Sequence, residues 1–279
     1  MNLRKVLFIG SNPGRLASVQ IRCLDIAGRL GCSFVLGKTT CNQIPSGFSI
    51  FVCVKPGLGR DQLVKLSKRG TVIWDIIDRA PFEGEGATLF LASTRSVQKL
   101  FSSRGRVEYI PHHHCNFTGE PNTLSHRRPA WIGAEHWHPK LTGIDYDYYD
   151  SNGMDREGVV AAYRKMGLGL NLRSRTTRAS LYHKYQPNHD QHITMNSGIK
   201  LINCIGFGIP SLSADEPAYR EIGADCTIFS SIEKCAADLR DLQVDYDKYL
   251  QLRMNCLERA QNFHIDTIAE MYKTLLCSL

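Results

Sequence analysis

Short apolar runs alternating with helix-spaced apolar residues constrain this chain more than any other feature. Lys5 to Ile9 is a β-rich run that ends in the turn Gly10-Ser11-Asn12-Pro13-Gly14-Arg15. Leu16, Val19, Cys23, Ile26, Ala27 and Leu30 then recur at the spacing of one helix face. Strand candidates follow at Ser33 to Leu36, Ser49 to Val54, Thr71 to Ile77, Thr88 to Ala92 and Val107 to Ile110, several of them separated by helix-compatible stretches. Strands that alternate with helices are joined by crossover connections, so the pattern predicts a mainly parallel sheet.

Between Pro111 and Arg128 the alternation lapses into His, Asn, Gly, Pro and Ser, which places a domain boundary near Ser125. A second series begins with strands near Ala130 to Ala134 and Gly143 to Tyr149, a helix over Arg156 to Met166 and a strand at Leu168 to Leu172. The expected architecture is α/β, with Rossmann-like domains over 1–125 and 126–279 whose carboxyl-edge loops face one cleft. The last helical region, Tyr246 to Leu276, is free to pack on either half. A chain of 279 residues can bury a core in each domain.

Composition narrows the class. With 43% hydrophobic and 22% charged residues the chain is that of a folded globular protein. No apolar run approaches the ~18 residues of a membrane helix, and Met1 to Gly10 is too short and too soon charged for a secretory leader, so a cytoplasmic location is expected. The 10 cysteines are scattered without the close pairs of zinc or redox motifs, and no metal site is expected. The formal charge of +7 favours anions, whether nucleotide phosphates, nucleic acid or the surface of an anionic membrane touched peripherally.

The most informative segment runs from Asn196 through Pro210 to Gly223. Ser197 and Gly198 suit a helix start, where Ser can cap free amides and Gly lets a phosphate approach. Lys200, Asn203 and Phe207 share one face of that helix, and Ile199, Ile202 and Ile205 supply packing. Gly208 and Pro210 end it and lead into a strand. Lys200 is placed to meet a diphosphate, although read alone it fits a solvated surface lysine as well.

Gly208-Ile209-Pro210 and the following Pro217-Ala-Tyr-Arg-Glu221-Ile-Gly resemble the donor-binding core of the GT-B glycosyltransferases, especially the glycogen-synthase-like and capsule-type families, in which a helix is followed by G-x-P and a P-x-x-x-E-like segment. Ser18-Val-Gln-Ile-Arg22 through Leu30-Gly31, Val52 to Lys55, Trp74-Asp75-Ile-Ile-Asp78 and Tyr109-Ile-Pro111 are similar, in order, to further patterns of these enzymes. The resemblance implies an N-terminal acceptor half, a C-terminal half for a nucleotide-sugar donor, and transfer without a metal or other cofactor. One departure stands out. Many retaining members carry two glutamates eight positions apart, the second seven residues before the G-x-P proline, and here those positions are Met195 and Asn203. The stereochemical outcome is therefore unassigned.

Breaking a sugar–phosphate bond builds negative charge on the leaving diphosphate, which fixed cations and helix amides can stabilise. Arg173, just past the strand Leu168 to Leu172, pairs with Lys200, Ser197 and Gly198 as the expected diphosphate site. Asn203 and Glu221 are the nucleotide or ribose candidates. The loop between Arg173 and Lys200 adds Arg175, Arg178, His183, Lys184, His189 and His192, a basic stretch that can close over phosphate, touch an anionic acceptor or simply be solvated.

Acid–base work needs a carboxylate or imidazole. Asp75 and Asp78, at a strand's carboxyl end, fit one active and one structural role, the latter a turn cap or an ion pair with Arg79. Within His112-His113-His114, adjacent residues rarely converge on one metal ion, so one histidine, represented by His113, is expected to meet acceptor or phosphate. Gly10, Gly14 and Arg15, and His138 with Lys140 beyond His136-Trp137, are expected to line the cleft. The leading reading is a glycosyltransferase acting on an unknown acceptor, which includes modified DNA. The alternative is a noncatalytic nucleic-acid- or glycan-binding protein built on the same fold.

Overall fold

A computed structural model describes residues 3–11, 17–55, 58–77, 86–123, 128–173 and 195–279. Asp78, Arg79, Gly14, Arg15 and the basic residues Arg175, Arg178, His183, Lys184, His189 and His192 lie outside the described residues.

The first series of apolar runs forms β1 (Val6–Gly10), β2 (Ser33–Leu36), β3 (Ile50–Val54), β4 (Thr71–Ile76), β5 (Leu89–Ala92) and β6 (Val107–Tyr109). They make one parallel sheet in the order β2-β1-β3-β4-β5-β6. Its described helices are α1 (Ala17–Val19), a π-helical turn (Gln20–Leu24), α2 (Asp25–Leu30), α3 (Arg60–Ser67) and α4 (Arg95–Phe101). Gly31, with φ 64°, ends α2 where a side chain would be strained.

The second series forms β7 (Pro129–Gly133), β8 (Asp147–Asp150), α5 (Arg156–Lys165), β9 (Leu168–Asn171), α6 (Ile199–Phe207), β10 (Ser211–Ser213), α7 (Pro217–Gly223), β11 (Thr227–Phe229), α8 (Cys235–Val244) and α9 (Tyr246–Ala260). The strands are again parallel, ordered β11-β10-β9-β7-β8. The helix α6 is apolar on nearly every side, and its residues Leu201 to Phe207 are all buried, as a fully apolar helix requires. A final helix, α10 (Ile265–Cys277), completes the chain's elements.

By internal contacts the chain forms two units, Met1–His112 with Ile265–Leu279, and His113–His264. The expected boundary near Ser125 thus lies C-terminal to the structural one, inside the second unit's sequence. Residues 113–123 belong to that unit because their polar groups are satisfied there: Cys115 N donates to Asn203 Oδ1 (2.9 Å), Asn116 Nδ2 to Gly206 O (2.6 Å) and Asn122 Nδ2 to Tyr163 O (2.7 Å). The terminal helical region is divided, α9 lying in the second unit and α10 in the first. Ile268, Ala269, Tyr272, Leu275 and Leu276 of α10 join the first unit's core with Val6, Phe8, Ile26 and Val52.

An ion pair is buried within that core. Arg22 Nε donates to Asp75 Oδ2 at 2.5 Å, Arg22 Nη1 to the carbonyls of Ile110 (2.8 Å) and Pro111 (3.2 Å), and Tyr272 Oη to Asp75 Oδ2 at 3.4 Å. The π-helical turn, β4, the chain after β6 and α10 are thereby tied at one point. Removing one partner of a buried pair strands the other charge, so Asp75→Ala is expected to destabilise the protein by about 3–5 kcal/mol in urea melts, and Asp75→Ala with Arg22→Met by clearly less.

Candidate functional site

All strands of the second unit run parallel, so the chain leaves β7, β9 and β10 at the same edge of the sheet. A cavity of about 110 Å³ opens there, lined by Gly133, Trp137, Arg173, Asn196, Lys200 and Tyr219 among others. Gly133 ends β7, Arg173 follows β9, Asn196 and Lys200 flank the start of α6, and Tyr219 comes from α7. The sequence-derived pair Arg173 and Lys200 is brought together.

Lys200 Nζ lies 4.0 Å from the centroid of the Trp131 ring, and Trp131 is itself fixed by Nε1 donating to Leu172 O at 2.7 Å. A Cβ on Gly133 would fall 2.6 Å from Trp131 Cη2 and 2.9 Å from Lys200 Nζ, so glycine leaves the room in which the amine sits. Burial, and then the neighbouring Arg173 charge, push the Lys200 ammonium down to about 7, while Cys204 and Glu216 pull the other way.

Glu216, at the N-cap of α7, is buried and was not singled out by its sequence context. Its Oε2 accepts from Arg173 Nη2 at 2.7 Å and from Asn196 Nδ2 at 2.6 Å. Asn196 Oδ1 in turn accepts from Gly198 N at 3.1 Å. The signal for Glu216 was its position before Pro217, a helix-start pattern, but the P-x-x-x-E likeness drew attention to Glu221. Glu221 is half-buried on α7 and is not among the residues lining the cavity.

Other expected roles need correction. Gly198, not Ser197, is the N-cap of α6, and it makes no side-chain cap bond. Gly198 has φ 65°, and a Cβ there would lie 2.0 Å from Ile222 Cδ1, so glycine is required for backbone conformation and for packing on α7 rather than for phosphate approach. Asn203 is buried and spends its side-chain oxygen on Cys115 N, which excludes the ribose contact expected of it. Asp75 is only 2% exposed and bound to Arg22, so its position in the core closes it to the proton transfer proposed for a catalytic base. Burial raises its carboxyl above the usual range, against the pull of Arg22.

His113 is likewise buried, its Nδ1 2.9 Å from His114 O and its ring 5.4 Å from that of Phe117, which leaves it no access to a substrate in this arrangement. Gly10 ends β1 with its Cα against the helical run: a Cβ there would lie 2.7 Å from Val19 Cγ1, so it serves close packing. His138 packs between Trp131 (5.0 Å) and Tyr148 (4.5 Å), and its Nε2 is 2.7 Å from Tyr146 Oη. Lys140 is exposed. Neither lines the cavity. Among the described residues no group of three His, Cys, Asp or Glu is placed to hold a metal ion.

A larger cavity of about 400 Å³ lies at the opposite, amino edge of β7, near Pro129, Gly143 and Leu239. Arg128 on its wall is already bonded to Asp145 and Asp147, with Arg128 Nε 2.7 Å from Asp147 Oδ1. The smaller cavity is the stronger candidate, because Arg173, Lys200 and Asn196 line it at the carboxyl edge, with Ile199 at the start of α6.

No family model and no curated protein sequence matches the chain. Solved structures do. HepE of Anabaena in complex with UDP and glucose superposes with a TM-score of 0.63 at 10% identity, over 99% of this chain and 100% of that one. Sucrose-phosphate synthase from Thermosynechococcus elongatus gives 0.63 at 10% identity over 99% and 100%. A glycosyltransferase from Rickettsia africae gives 0.60 at 7% identity, over 97% of each chain. The chain has the GT-B glycosyltransferase fold. At these identities the likeness shows the fold alone.

The Lys200 environment has a measurable consequence. Its ammonium is depressed from 10.5 in the unfolded chain to about 7, so between those values the unfolded state holds more protons and stability rises with pH. The groups facing it are Arg173, Glu216, Cys204, His138 and the Trp131 ring. Lys200→Met is expected to raise the melting temperature of the ligand-free protein at neutral pH and to flatten the rise in stability between about pH 7 and about pH 9.5 in urea titrations.

Proposed function

We propose that this protein is a glycosyltransferase that takes a sugar from a nucleoside-diphosphate sugar held by its second unit and passes it to a hydroxyl-bearing acceptor held by its first. The observation that carries this reading is the convergence of Arg173, Lys200 and the start of α6 on one cavity at the carboxyl edge of β7 and β9. The HepE structures of the same fold are described with UDP and with UDP-glucose, which makes uridine nucleotides the first ligands to try.

In this mechanism the leaving diphosphate meets the Arg173 guanidinium, the Lys200 ammonium and the free amides of α6. Negative charge that grows on the bridging oxygen is stabilised by cations already in place. An arriving dianion favours the protonated form of Lys200, so donor binding near neutral pH takes up a proton. The transfer needs no metal, because the two basic side chains supply the countercharge. With Asp75 and His113 enclosed, Asp78 is the sequence-derived candidate to receive the acceptor proton.

The test is calorimetry and thermal stabilisation with UDP, GDP, CDP, TDP and their sugars. A nucleoside diphosphate is expected to stabilise the protein, more so the tighter it binds and the higher its concentration, with apparent enthalpies that vary with buffer ionisation as proton uptake requires. Arg173→Ala and Lys200→Ala are each expected to weaken binding by roughly tenfold or more, the loss of a charge-assisted contact. Stabilisation by no nucleotide, together with a steeply salt-dependent affinity for DNA or RNA, would replace this reading with the noncatalytic nucleic-acid-binding one.

A further inference from the structure

We propose that Glu216 is a positioning residue of this cavity, a carboxylate that fixes Arg173 and Asn196 in one arrangement around an incoming diphosphate. The inference rests on the nucleotide-sugar reading of the same cavity.

Two observations carry it. Glu216 has a side chain only 5% exposed, and one of its oxygens receives both Arg173 Nη2 and Asn196 Nδ2. These two donors line the cavity, whereas Glu216 is not among its lining residues, so Glu216 acts through them.

A guanidinium with several rotatable bonds has many orientations, and a carboxylate that bonds one of its nitrogens removes most of them before a ligand arrives. The remaining donors of Arg173 are then directed by a fixed geometry. Asn196 completes a relay, since its Oδ1 holds Gly198 N at the N-cap of α6 while its Nδ2 holds Glu216. The helix start and the arginine are thus referred to one buried oxygen. The negative charge also favours the proton on Lys200 against the opposing effect of Arg173. A carboxylate close to a diphosphate would by itself repel it, so orientation and repulsion predict opposite signs.

The experiment compares the full-length protein with Glu216→Gln and Glu216→Asp. Binding of UDP is measured by calorimetry, and the protonation of Lys200 in the ligand-free protein by the pH dependence of its acetylation with trace acetic anhydride, read by mass spectrometry. Glu216→Gln is expected to bind UDP roughly tenfold more weakly and to move the Lys200 acetylation midpoint to lower pH. Glu216→Asp keeps the charge but falls one methylene short, so it is expected to hold the midpoint near that of the wild type while losing affinity.

In an Arg173→Ala background the effect of Glu216→Gln on UDP affinity is expected to disappear, because the residue acts through the arginine. Unchanged or stronger UDP binding by Glu216→Gln overturns the proposal. If the wild type itself binds no UDP, the nucleotide reading fails, and the ligand-free midpoint still decides the role of Glu216: a midpoint that does not move overturns it. Should Glu216→Gln fail to fold, Glu216→Asp carries the decision, and wild-type affinity in that variant overturns the proposal.

Discussion

Parallel strand direction is the constraint on which the site depends. A parallel sheet cannot be closed by tight hairpins, so each strand must hand the chain to a crossover that starts at the carboxyl edge. In the second unit this gathers Gly133, Arg173 and the loop to Glu216 on one side of β7, β9 and β10. Residues that are 40 to 80 positions apart in sequence become neighbours because the strands that precede them are paired. Ser211 to Ser213 of β10 and Gly169 to Asn171 of β9 are in register, which brings the Glu216 loop beside Arg173.

The polar groups of the site then follow from what burial demands. The buried Glu216 carboxyl is satisfied because two donors meet it, and those donors are the ones that line the cavity. Lys200 is set over the Trp131 ring, and burial together with the Arg173 charge leaves its proton loosely held. An arrangement with a strong cation, a weak one and a fixed carboxylate is suited to a ligand that brings its own negative charge. In the first unit the same logic has a different outcome. Arg22 and Asp75 neutralise each other within the core and join four elements, a structural use of charged residues that the motif around Asp75 did not distinguish from a catalytic one.

Much of the fold was legible. The period of apolar residues located β2 and, to within a residue or two, β1, β3 to β7 and β9, because a buried strand needs a short apolar run whatever its partners. The strand β8 starts four residues later than its apolar pattern suggested, since Gly143 and Ile144 lie on the wall of the cavity at the amino edge instead of in the ladder. The domain boundary was less legible. Residues 113–123 carry turn-forming side chains that read as a linker, but Asn116 and Asn122 use those side chains to satisfy carbonyls at the end of α6 and of α5.

The sequence by itself determined the alternating α/β plan and the position of the helix α6, because spacing along a strand or helix is a local property. Only the tertiary structure decided that Asn203 faces Cys115, that Asp75 is sealed by Arg22, and that Glu216 reaches Arg173. The physical reason is that the role of a polar side chain depends on whether it is solvated or buried and on which donors meet it. Those conditions are set by pairing between distant strands, which no local pattern specifies.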